Sequence, residues 1–230
     1  MKKIVVLTGA GISAESGINT FRDSDGLWEG HDVMEVASPE GFAKNPELVL
    51  DFYNQRRRQL LTVKPNSAHF DLVNLEKNFD VTIITQNVDD LHERAGSSKV
   101  IHLHGELLKS RGTFNSDKIY DCTKDIKLGD KDAQGFQIRP HIVWFGEAVP
   151  MLDKAIEIVG QCDILVIIGT SMQVYPAASL VNYIMHNTPI YFIDPKPAVN
   201  NNMFNKLTII ENSATKGVKF LLKELSNPSI

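Results

Sequence analysis

A histidine that follows a short apolar run is the residue best suited to proton transfer in this chain. The run at residues 100–103 indicates a buried strand, and His104 comes directly after it, beside Gly105. An imidazole in that position can act as a general base near neutral pH. Alternation along the strand puts His102 on the same face, but a single histidine is more often structural, and we interpret His102 in that way. We predict that His104 is a catalytic base.

A second group of polar side chains follows the apolar run at residues 81–85. Ligands of open parallel sheets bind beyond the carboxyl ends of the strands, which is where Gln86, Asn87 and Asp89 fall. An amide beside a carboxylate can recognise a carboxamide and sugar hydroxyls. The structural alternative is that Asn87 and Asp90 only cap the short helix that follows. We favour that alternative for Asp90 and a functional role for Asn87 and Asp89.

A glycine turn follows the first apolar run of the chain, residues 3–8. Residues 9–14 have the pattern G-x-G-x-x-A. Such a turn between a strand and a helix lets the backbone approach a pyrophosphate, whose charge the helix N-terminus favours. The pattern alone is a weak signal, because a simple strand-to-helix turn would produce it too. Its place after a buried first strand favours nucleotide binding.

The segment after this turn argues against ordinary hydride transfer. A dehydrogenase continues into a helix and a second strand, with an acidic residue about 20 positions on that binds the ribose. Asp23 and Asp25 have about the right offset, but residues 20–28 indicate a loop and provide no strand for them. Such a loop can instead fold over the nucleotide, with Arg22 near phosphate and Phe21 over the reactive ribose.

The elements that position these residues form an α/β pattern. Six apolar runs rich in Val, Ile and Leu alternate with helical patterns, which predicts a doubly wound, Rossmann-like parallel sheet covered on both faces. The predicted strands are residues 3–8, 81–85, 100–103, 164–169, 190–193 and 207–210. The predicted helices include residues 67–77 after an Asn66 cap, residues 177–186 after Pro176, and a last helix from a Ser213 cap to about Leu225.

Two insertions interrupt the alternation and are predicted to form a small second lobe. Residues 30–63 have helical patterns with no strand between them, and residues 108–140 are polar with little periodicity. The remaining segments, 1–29, 64–107 and 141–230, are assigned to the Rossmann-like nucleotide-binding domain.

Composition limits the possible partners and surroundings. The chain has 230 residues, 43% of them apolar and 23% charged, and a formal net charge of −4. These values are typical of a globular protein and argue against a general nucleic-acid binder, which needs a dominant positive face. The first apolar run is too short for a signal sequence or a membrane span, and two cysteines do not indicate a disulfide framework. We expect a cytoplasmic protein with no nucleic-acid or membrane partner.

Taken together, these motifs resemble the sirtuins. The matching stretches run in order from the first glycine turn to the last helix, and their joint occurrence is what makes the resemblance specific. They are residues 9–18, 20–28, 85–92, 102–106, 139–147 and 169–171 and the region of Ala214. The resemblance implies an enzyme that uses NAD to remove acyl groups from lysine in proteins or peptides.

The resemblance implies that NAD lies along the carboxyl edge of the sheet. The loop at residues 9–18 would hold the pyrophosphate, Gln86 the nicotinamide ribose, and Asn87 and Asp89 the ribose and the nicotinamide amide. Sirtuins often have asparagine in place of Asp194, but a carboxylate can also accept from ribose hydroxyls. The implied NAD-binding residues are Gly9, Ala10, Gly11, Glu15, Ser16, Ile18, Phe21, Arg22, Trp28, Gln86, Asn87, Asp89 and Gly169 and, for the adenosine half, Thr170, Ser171, Asp194 and Ala214.

The resemblance also implies the reaction. The acyl oxygen of the modified lysine attacks the anomeric carbon of NAD and nicotinamide leaves. His104 then deprotonates a ribose hydroxyl that attacks the imidate carbon, and water completes the reaction by releasing the lysine. Asn87 is implied as a second catalytic residue. The products are free lysine, nicotinamide and acyl-ADP-ribose. The residues expected to form a strand that pairs with the substrate peptide are Val143, Trp144, Phe145, Gly146 and Glu147.

A tyrosine and an arginine in the helical insertion indicate the acyl group. Tyr53 and Arg56 are three residues apart, so both can project from one helix face, and they resemble the Tyr-x-x-Arg pair of sirtuins that remove acidic acyl groups. Ala37 matches the small residue that widens the pocket there. Arg56 can grip a distal carboxylate with two parallel donors. Succinyl and malonyl lysine therefore fit, whereas acetyl lysine, also expected as a substrate, would leave the arginine unmatched. The alternative is a solvated basic helix, since Arg57 and Arg58 follow; we interpret only those two as surface or structural residues.

The sequence departs from most sirtuins in the second insertion, where those enzymes hold zinc with two Cys-x-x-Cys pairs. Residues 110–132 contain only Cys122, and one thiol cannot make a tetrahedral site. Cys162 precedes a buried strand and is interpreted as a core thiol, so we predict no zinc. The side chains expected to hold this lobe together instead are Phe114, Ile119, Tyr120 and Phe136.

Two other functions stay open. An ADP-ribosyltransferase on the same scaffold would pass ADP-ribose to a protein side chain, and a non-catalytic module would only bind NAD. His104 together with Tyr53 and Arg56 favours the deacylase over the first. The combination of Asn87, Asp89 and His104 speaks against the second.

Overall fold

The computed structural model describes residues 1–19, 27–114, 118–200 and 203–226. The strands and helices are, in chain order, β1 (Lys3–Thr8), β2 (Leu27–Trp28), β3 (His31–Asp32), α1 (Val33–Val36), α2 (Pro39–Lys44), α3 (Pro46–Leu60), α4 (Ser67–Leu75), β4 (Asp80–Thr85), α5 (Leu91–Ala95), β5 (Val100–His102), β6 (Gly105–Gly112), β7 (Ile119–Asp121), β8 (Ile138–Ile142), α6 (Leu152–Val159), β9 (Ile164–Ile168), β10 (Ile190–Ile193), β11 (Leu207–Ile210) and α7 (Ala214–Leu225). Short 3-10 helices lie at Ala10–Ile12, Ala14–Ser16 and Ala177–Tyr183. Within these ranges no helix has the length and apolar character needed to cross a membrane.

Six parallel strands form the central sheet, in the order β11-β10-β9-β1-β4-β5. Numbered along the chain, this is the 6-5-4-1-2-3 order of the Rossmann fold. β1 lies in the middle, where Val6 pairs with Ile83 of β4 on one side and with Val166 of β9 on the other. All six predicted strands are present, and their ends differ from the prediction by at most one residue. The predicted α/β fold is confirmed.

Both faces of the sheet are covered, which explains why its strands are continuous apolar runs. On one face Val6 belongs to a cluster with Leu72 of α4 and Val218 of α7. On the other face Leu7 belongs to a cluster with Ala155 of α6. Because successive strand residues point to opposite faces, neighbouring positions of β1 serve the two layers.

Helix starts agree with the sequence better than helix ends do. The Asn66 side chain accepts from the Ala68 amide and caps α4, as predicted, but the helix ends at Leu75 and not at residue 77. The helix predicted for residues 177–186 is a 3-10 helix that ends at Tyr183. α7 follows Ser213, as predicted, although the Ser213 side chain makes no capping bond.

The first insertion contains three helices and part of a hairpin. Ser38 caps α2 and Asn45 caps α3, and each helix begins with a proline, whose missing amide is not needed there. The expectation that residues 30–63 hold no strand is wrong at β3, which pairs with β2 in an antiparallel hairpin. Strands of two residues are too short to show alternation.

The second insertion contains an antiparallel sheet in the order β7-β6-β8. Its strands escaped prediction because their buried positions are polar: Ser110, Arg111 and Arg139 are 4%, 8% and 6% exposed. Charged side chains in buried positions erase the period-2 pattern by which strands are recognised.

The aromatic packing expected for this insertion is wrong. Phe114 is 79% exposed and stacks on Phe136, with 4.8 Å between the ring centroids. Ile119 and Tyr120 are also exposed. These side chains therefore cover little of the lobe.

Hydrogen bonds from α3 hold the second insertion instead. The Asn54 amide donates to the Ile126 carbonyl oxygen at 2.8 Å and accepts from the Ile126 amide at 2.9 Å. Arg57 is fully buried and donates to the Leu107 carbonyl oxygen and to Asn54, while the exposed Arg58 pairs with Asp125. Both residues were interpreted as surface or structural: Arg57 is structural, and Arg58 lies at the surface.

Candidate active site

Two glycine turns meet where the strand order reverses. β1 is followed by Gly9 and Gly11, and its neighbour β9 is followed by Gly169. The Gly11 amide donates to the Gly169 carbonyl oxygen at 2.9 Å, and a Cβ on Gly11 would lie 2.5 Å from the Gly169 Cα. Only glycine permits this approach, and Gly169 also has a left-handed φ of 62°. The turns leave bare backbone at the switch point, where dinucleotides bind in such sheets.

The loop after β1 differs from the expected strand-to-helix turn. It forms two 3-10 turns, Ala10–Ile12 and Ala14–Ser16, in place of an α-helix. A helix dipole of full length is therefore not available to a pyrophosphate. The loop is held from outside by Asn66, whose amide donates to the Ile12 carbonyl oxygen at 2.8 Å and to the Ser16 hydroxyl at 3.0 Å.

Ser13 connects this loop to the polar residues after β4. Its hydroxyl donates to Asp89 Oδ2 at 3.0 Å and accepts from Asn87 Nδ2 at 3.2 Å. All three side chains are buried. Burial raises the pKa of Asp89, although hydrogen bonds from Leu91 and Ser13 act in the opposite direction. Asn87 and Asp89 lie together, as predicted.

Asp89 also takes the capping role that the sequence suggested for Asp90. Asp89 Oδ1 accepts from the Leu91 amide at 3.1 Å, at the start of α5. Asp90 is the residue before the helix but makes no capping bond. Its carboxylate pairs with Arg94 at 3.0 Å.

His104 follows β5, and the backbone after β4 orients its ring. Nδ1 lies 3.1 Å from the Gln86 carbonyl oxygen. A carbonyl oxygen can only accept, so Nδ1 carries the proton and Nε2 keeps a lone pair. Burial lowers the pKa of His104, with the hydrogen bond to Gln86 opposing it, so the ring is neutral at pH 7. A neutral, oriented imidazole is suited to accept a proton.

His102 holds the same backbone from the neighbouring position. Its Nδ1 lies 3.1 Å from the Asn87 carbonyl oxygen and its Nε2 lies 2.8 Å from Glu93 Oε1. Burial alone would lower the pKa of His102, but the hydrogen bond with Glu93 raises it above its ordinary value. Both ring nitrogens have partners, which agrees with the structural interpretation of His102.

The ends of β4 and β9 are joined across the end of β1. Gln86 Nε2 donates to Thr170 Oγ1 at 3.1 Å, and the partly buried Ser171 follows. At the end of β10, Asp194 is 2% exposed and accepts from the Lys196 amide at 2.8 Å. Gln86, Thr170 and Asp194, which were predicted for the ribose and adenosine contacts, therefore follow strands at the same edge of the sheet.

The Glu15 carboxylate accepts hydrogen bonds from residues at the start of the last helix, α7. It accepts from the Thr215 amide at 2.9 Å and hydroxyl at 2.8 Å, and from the Ser213 hydroxyl at 3.1 Å. Burial alone would raise the pKa of Glu15, but these hydrogen bonds lower it. Ala214, which is buried, lies between these donors in the chain. The contact with NAD predicted for Glu15 stays a prediction.

Tyr53 belongs to an aromatic cluster at the other end of the site. It is fully buried, and its hydroxyl accepts from Trp144 Nε1 at 3.0 Å. The ring of Trp28 lies 5.9 Å from that of Tyr53. Burial raises the pKa of Tyr53, so the phenol stays protonated. Ala37 is buried nearby, and its carbonyl oxygen accepts from the Phe145 amide at 2.9 Å.

Arg56 lies one turn beyond Phe52 on α3. Its Nη1 donates to the Phe52 carbonyl oxygen at 2.8 Å, and its guanidinium lies 3.9 Å from the centroid of the Phe52 ring. Nη2 is 3.7 Å from Glu29 Oε2, and the side chain is 15% exposed. Nε is buried and has no acceptor among the residues that the structure describes. Burial lowers the pKa of Arg56 and Glu29 opposes this shift.

Residues 143–147 form a turn, which corrects the expectation of a strand. β8 ends at Ile142, Gly146 has a φ of 90°, and the Glu147 amide donates to the Trp144 carbonyl oxygen at 3.0 Å. The Val143 amide donates to the His104 carbonyl oxygen at 2.9 Å. The turn is therefore attached directly to the backbone of the candidate base.

The Glu147 carboxylate stabilises this turn from inside. It accepts from both Arg139 Nη atoms, at 2.6 and 3.1 Å, from Arg111 at 3.2 Å and from the Trp144 amide at 2.8 Å. Burial alone would raise the pKa of Glu147, but Arg139 lowers it. A carboxylate with these partners has a structural role in the turn. The contact of Glu147 with the substrate peptide stays a prediction.

The remaining NAD contacts predicted from the sequence are spread around this site. Phe21 and Arg22 lie outside the described residues. Trp28 packs edge-on against Phe52, with 4.9 Å between ring centroids, and Ile18 packs against the same cluster. For Trp28 and Ile18 the contact with NAD stays a prediction.

The residues present fit a dinucleotide in two respects. The two glycine turns pack so closely that a Cβ on any of their glycines would clash with the opposite turn, which leaves only backbone at the switch point. The hydroxyl, amide and carboxylate groups of Ser13, Asn87 and Asp89 match the chemistry of ribose and carboxamide.

A sequence model of the Sir2 family matches residues 9–176. The chain belongs to the Sir2 family. It is 59% identical to an NAD-dependent protein deacylase from Helicobacter pylori, over 98% of each chain. A solved Sir2 homologue in complex with ADP ribose is 39% identical, with a TM-score of 0.88 over 98% of this chain and 94% of that one. A Sir2 homologue–NAD complex is also 39% identical, with a TM-score of 0.86 over 98% of this chain and 91% of that one.

The described part of this Sir2-family chain contains no group of three or more His, Cys, Asp or Glu side chains arranged to hold a metal ion. Cys162 lies in the core, and burial raises its pKa to about 11. Cys122 donates its thiol to the Lys124 carbonyl oxygen at 3.4 Å. That the protein works without zinc stays a prediction.

Sequence analysis missed three residues that organise this Sir2-family site. Ser13 lies within the glycine loop, so its position was a usable signal. Asn54 stands between two residues that the sequence did single out, and its polar type on a helix was a weak signal. Glu29 had no recognisable signal in the sequence, because the hairpin turn that carries it connects strands of only two residues.

Proposed function

We propose that this chain, an NAD-dependent protein deacylase of the Sir2 family, prefers lysine acyl groups that end in a carboxylate, such as succinyl and malonyl. The observation that carries this proposal is the Arg56 guanidinium. It is 15% exposed, and its buried Nε has no acceptor among the described residues. A buried donor without a partner costs about 1–3 kcal/mol, so an acyl carboxylate that supplies the acceptor gains a comparable amount.

NAD is assigned to the carboxyl edge of the sheet. Its pyrophosphate would lie against the glycine turns, its nicotinamide end near Asn87 and Asp89, and its adenosine half toward Thr170 and Asp194. Bound NAD supplies an electrophilic anomeric carbon with nicotinamide as the leaving group. The acyl oxygen of an amide is a weak nucleophile, so the main task of the chain is to hold it in line.

His104 is the group that moves a proton. Its Nε2 has the free lone pair, since Nδ1–H donates to the Gln86 carbonyl oxygen. When Nε2 accepts a proton from a ribose hydroxyl, the same carbonyl stabilises the charge that develops on the ring. Burial keeps the ring neutral before that step.

The turn at residues 143–147 is proposed as the support for the substrate peptide. Phe145 is 40% exposed and Gly146 is exposed, whereas Trp144 is buried against Tyr53. Glu147 and Arg139 keep the turn rigid. A peptide lying on this turn would direct its modified lysine between Tyr53 and His104.

The second insertion is proposed to work without zinc. The two hydrogen bonds between Asn54 and Ile126 join it to α3 and replace part of what a metal would contribute. Metal analysis of the purified active protein tests this: stoichiometric zinc would contradict it.

Deacylation of one peptide carrying either succinyl or acetyl lysine tests the function. Nicotinamide release with NAD is measured for the wild type, for Arg56→Met, and for Lys44→Met as the control. Lys44 is an exposed cation on α2 in the same lobe. We expect a succinyl preference that Arg56→Met lowers by about 10- to 100-fold, the value of a charged hydrogen bond, and that Lys44→Met leaves unchanged.

Each other outcome has a distinct meaning. Equal or greater acetyl turnover that Arg56→Met does not change would keep the deacylase and refute the acidic-acyl preference. Transfer of labelled ADP-ribose from NAD to protein, without deacylation, would favour a transferase.

A further inference from the structure

We infer that Glu29 is a specificity-determining residue: its carboxylate competes with the acyl carboxylate of the substrate for Arg56, which lets one pocket also accept neutral acyl groups. The inference rests on the proposed function. It concerns how strongly the acidic acyl group is preferred and not whether deacylation occurs.

The β2–β3 hairpin sets the position of Glu29. Trp28 pairs with His31, which leaves Glu29 and Gly30 as the two turn residues, with φ values of 51° and 81°. Two positive φ angles are typical of a type I′ turn, which favours Asn, Asp or Gly. Glutamate is uncommon in the left-handed region. A side chain kept there against its backbone preference points to a function for that side chain.

Aromatic contacts fix this hairpin to the helix that carries Arg56. The Trp28 ring lies 4.9 Å from the Phe52 ring and the His31 ring lies 5.5 Å from it, both edge-on. The Arg56 guanidinium lies over the same Phe52 ring at 3.9 Å. Phe52 therefore keeps Glu29 and Arg56 in a constant relative position.

The contact between the two charges is loose enough for competition. The distance from Glu29 Oε2 to Arg56 Nη2 is 3.7 Å, longer than a hydrogen bond. Glu29 therefore offsets the charge of Arg56 without using its donors, and Nε has no acceptor among the described residues. When an acetyl group is bound, Glu29 still offsets the charge of the Arg56 guanidinium. An acyl carboxylate can accept from the N–H groups of Arg56, but the Glu29 carboxylate repels it.

One cavity, of about 60 Å³, is lined by Glu29 and Arg56 and also by Val88 and Asp89. Both charges therefore share a cavity with Asp89, which the proposed function places at the nicotinamide end of NAD. An acyl carboxylate in this cavity meets Arg56 and Glu29 together, so pairing with Arg56 also brings it close to Glu29.

The test is Glu29→Gln, which removes the charge and keeps the shape. We measure kcat and KM for succinyl and acetyl peptides at saturating NAD. The succinyl-to-acetyl ratio of kcat/KM is expected to rise about three- to fivefold, the size of a partly exposed ion pair, chiefly through a lower KM for the succinyl peptide. Glu40→Gln, at an exposed position of α2 in the same lobe, is the matched control and should leave the ratio unchanged.

Arg56→Met and the double variant separate this inference from the proposed function. If Glu29 acts through Arg56, Glu29→Gln has no effect on the ratio in the Arg56→Met background. A second outcome is that Arg56→Met abolishes the succinyl preference, while Glu29→Gln in the wild-type background leaves this preference unchanged or lowers it. That outcome overturns the role of Glu29 and keeps the acidic-acyl preference. A ratio insensitive to Arg56→Met overturns both.

Discussion

The two ends of the site are built in different ways. At the reaction end, His104, Asn87 and Gly169 follow the ends of parallel strands, and backbone carbonyls orient them or their neighbours. At the acyl end, Tyr53 and Arg56 project from a helix of an insertion and are held mainly by other side chains. Under the proposed function, the fold itself thus determines where the chemistry occurs, while the choice of acyl group depends on a few side chains of the insertion.

This difference predicts that the two ends can be altered separately. A change at the strand ends should lower turnover for every acyl group alike. A change around α3 should alter the ratio between acyl groups and leave the proton transfer intact.

Replacing the base is expected to have the largest effect. His104→Ala should lower kcat by about 10²- to 10⁴-fold, the usual contribution of a general base, and by the same factor for succinyl and acetyl peptides. Nicotinamide release and acyl-ADP-ribose formation at saturating NAD are the measurements, with the exposed His186→Ala as control. A ratio of succinyl to acetyl turnover that changes with His104→Ala would show that the two ends are coupled.

The pH dependence reports on the reaction end alone. Burial lowers the pKa of His104 below its ordinary value of 6.5, so more than half of the rings have an unprotonated Nε2 at pH 6.5. We expect the acid limb of kcat/KM for the acetyl peptide, whose acyl group does not titrate, to have its midpoint below 6.5 and to approach a roughly tenfold fall per pH unit at still lower pH. An acid limb centred at or above 6.5 would mean that another group controls the rate.

The same division describes how far the sequence predicts the structure. Strands such as β1 and β9 are buried on both faces, and continuous apolar runs are visible without knowledge of their neighbours. Residues that follow such strands, including Asn87, Asp89 and His104, could be placed at one edge by topology alone. The position of these residues at the reaction end was therefore predictable, whereas Ser13, which joins Asn87 to Asp89, was missed.

The acyl end was predictable only where residues are spaced by about one helical turn, as Tyr53 and Arg56 are. Residues 143–147 have an apolar run that indicates a strand, but the bonds from Arg139 and Arg111 to Glu147 bend the chain into a turn. Such interactions join residues that are distant in sequence. No local pattern could reveal them, and the same holds for Glu29.

Loosening the second insertion should have a moderate effect, confined to the acyl end. Asn54→Ala leaves the buried Ile126 amide without its acceptor and should lower the free energy of unfolding by about 2–3 kcal/mol, or Tm by roughly 5–10 °C. Thermal unfolding measures this, with the exposed Asn74→Ala as control. At a temperature where the variant is folded, we expect a weaker succinyl preference and an unchanged acid limb of the pH profile. A shifted limb would indicate that the insertion also supports His104.

The smallest expected change comes from Tyr53→Phe, which keeps the ring and removes one hydroxyl. A neutral phenol adds one hydrogen bond to an acyl carboxylate where Arg56 adds a charge, so kcat/KM for the succinyl peptide should fall only about two- to fivefold. The acetyl peptide, which lacks the carboxylate, should be unaffected. Because the same hydroxyl accepts from Trp144 Nε1, an equal loss for both peptides would mean that Tyr53 acts through the turn at residues 143–147 and not through the acyl group.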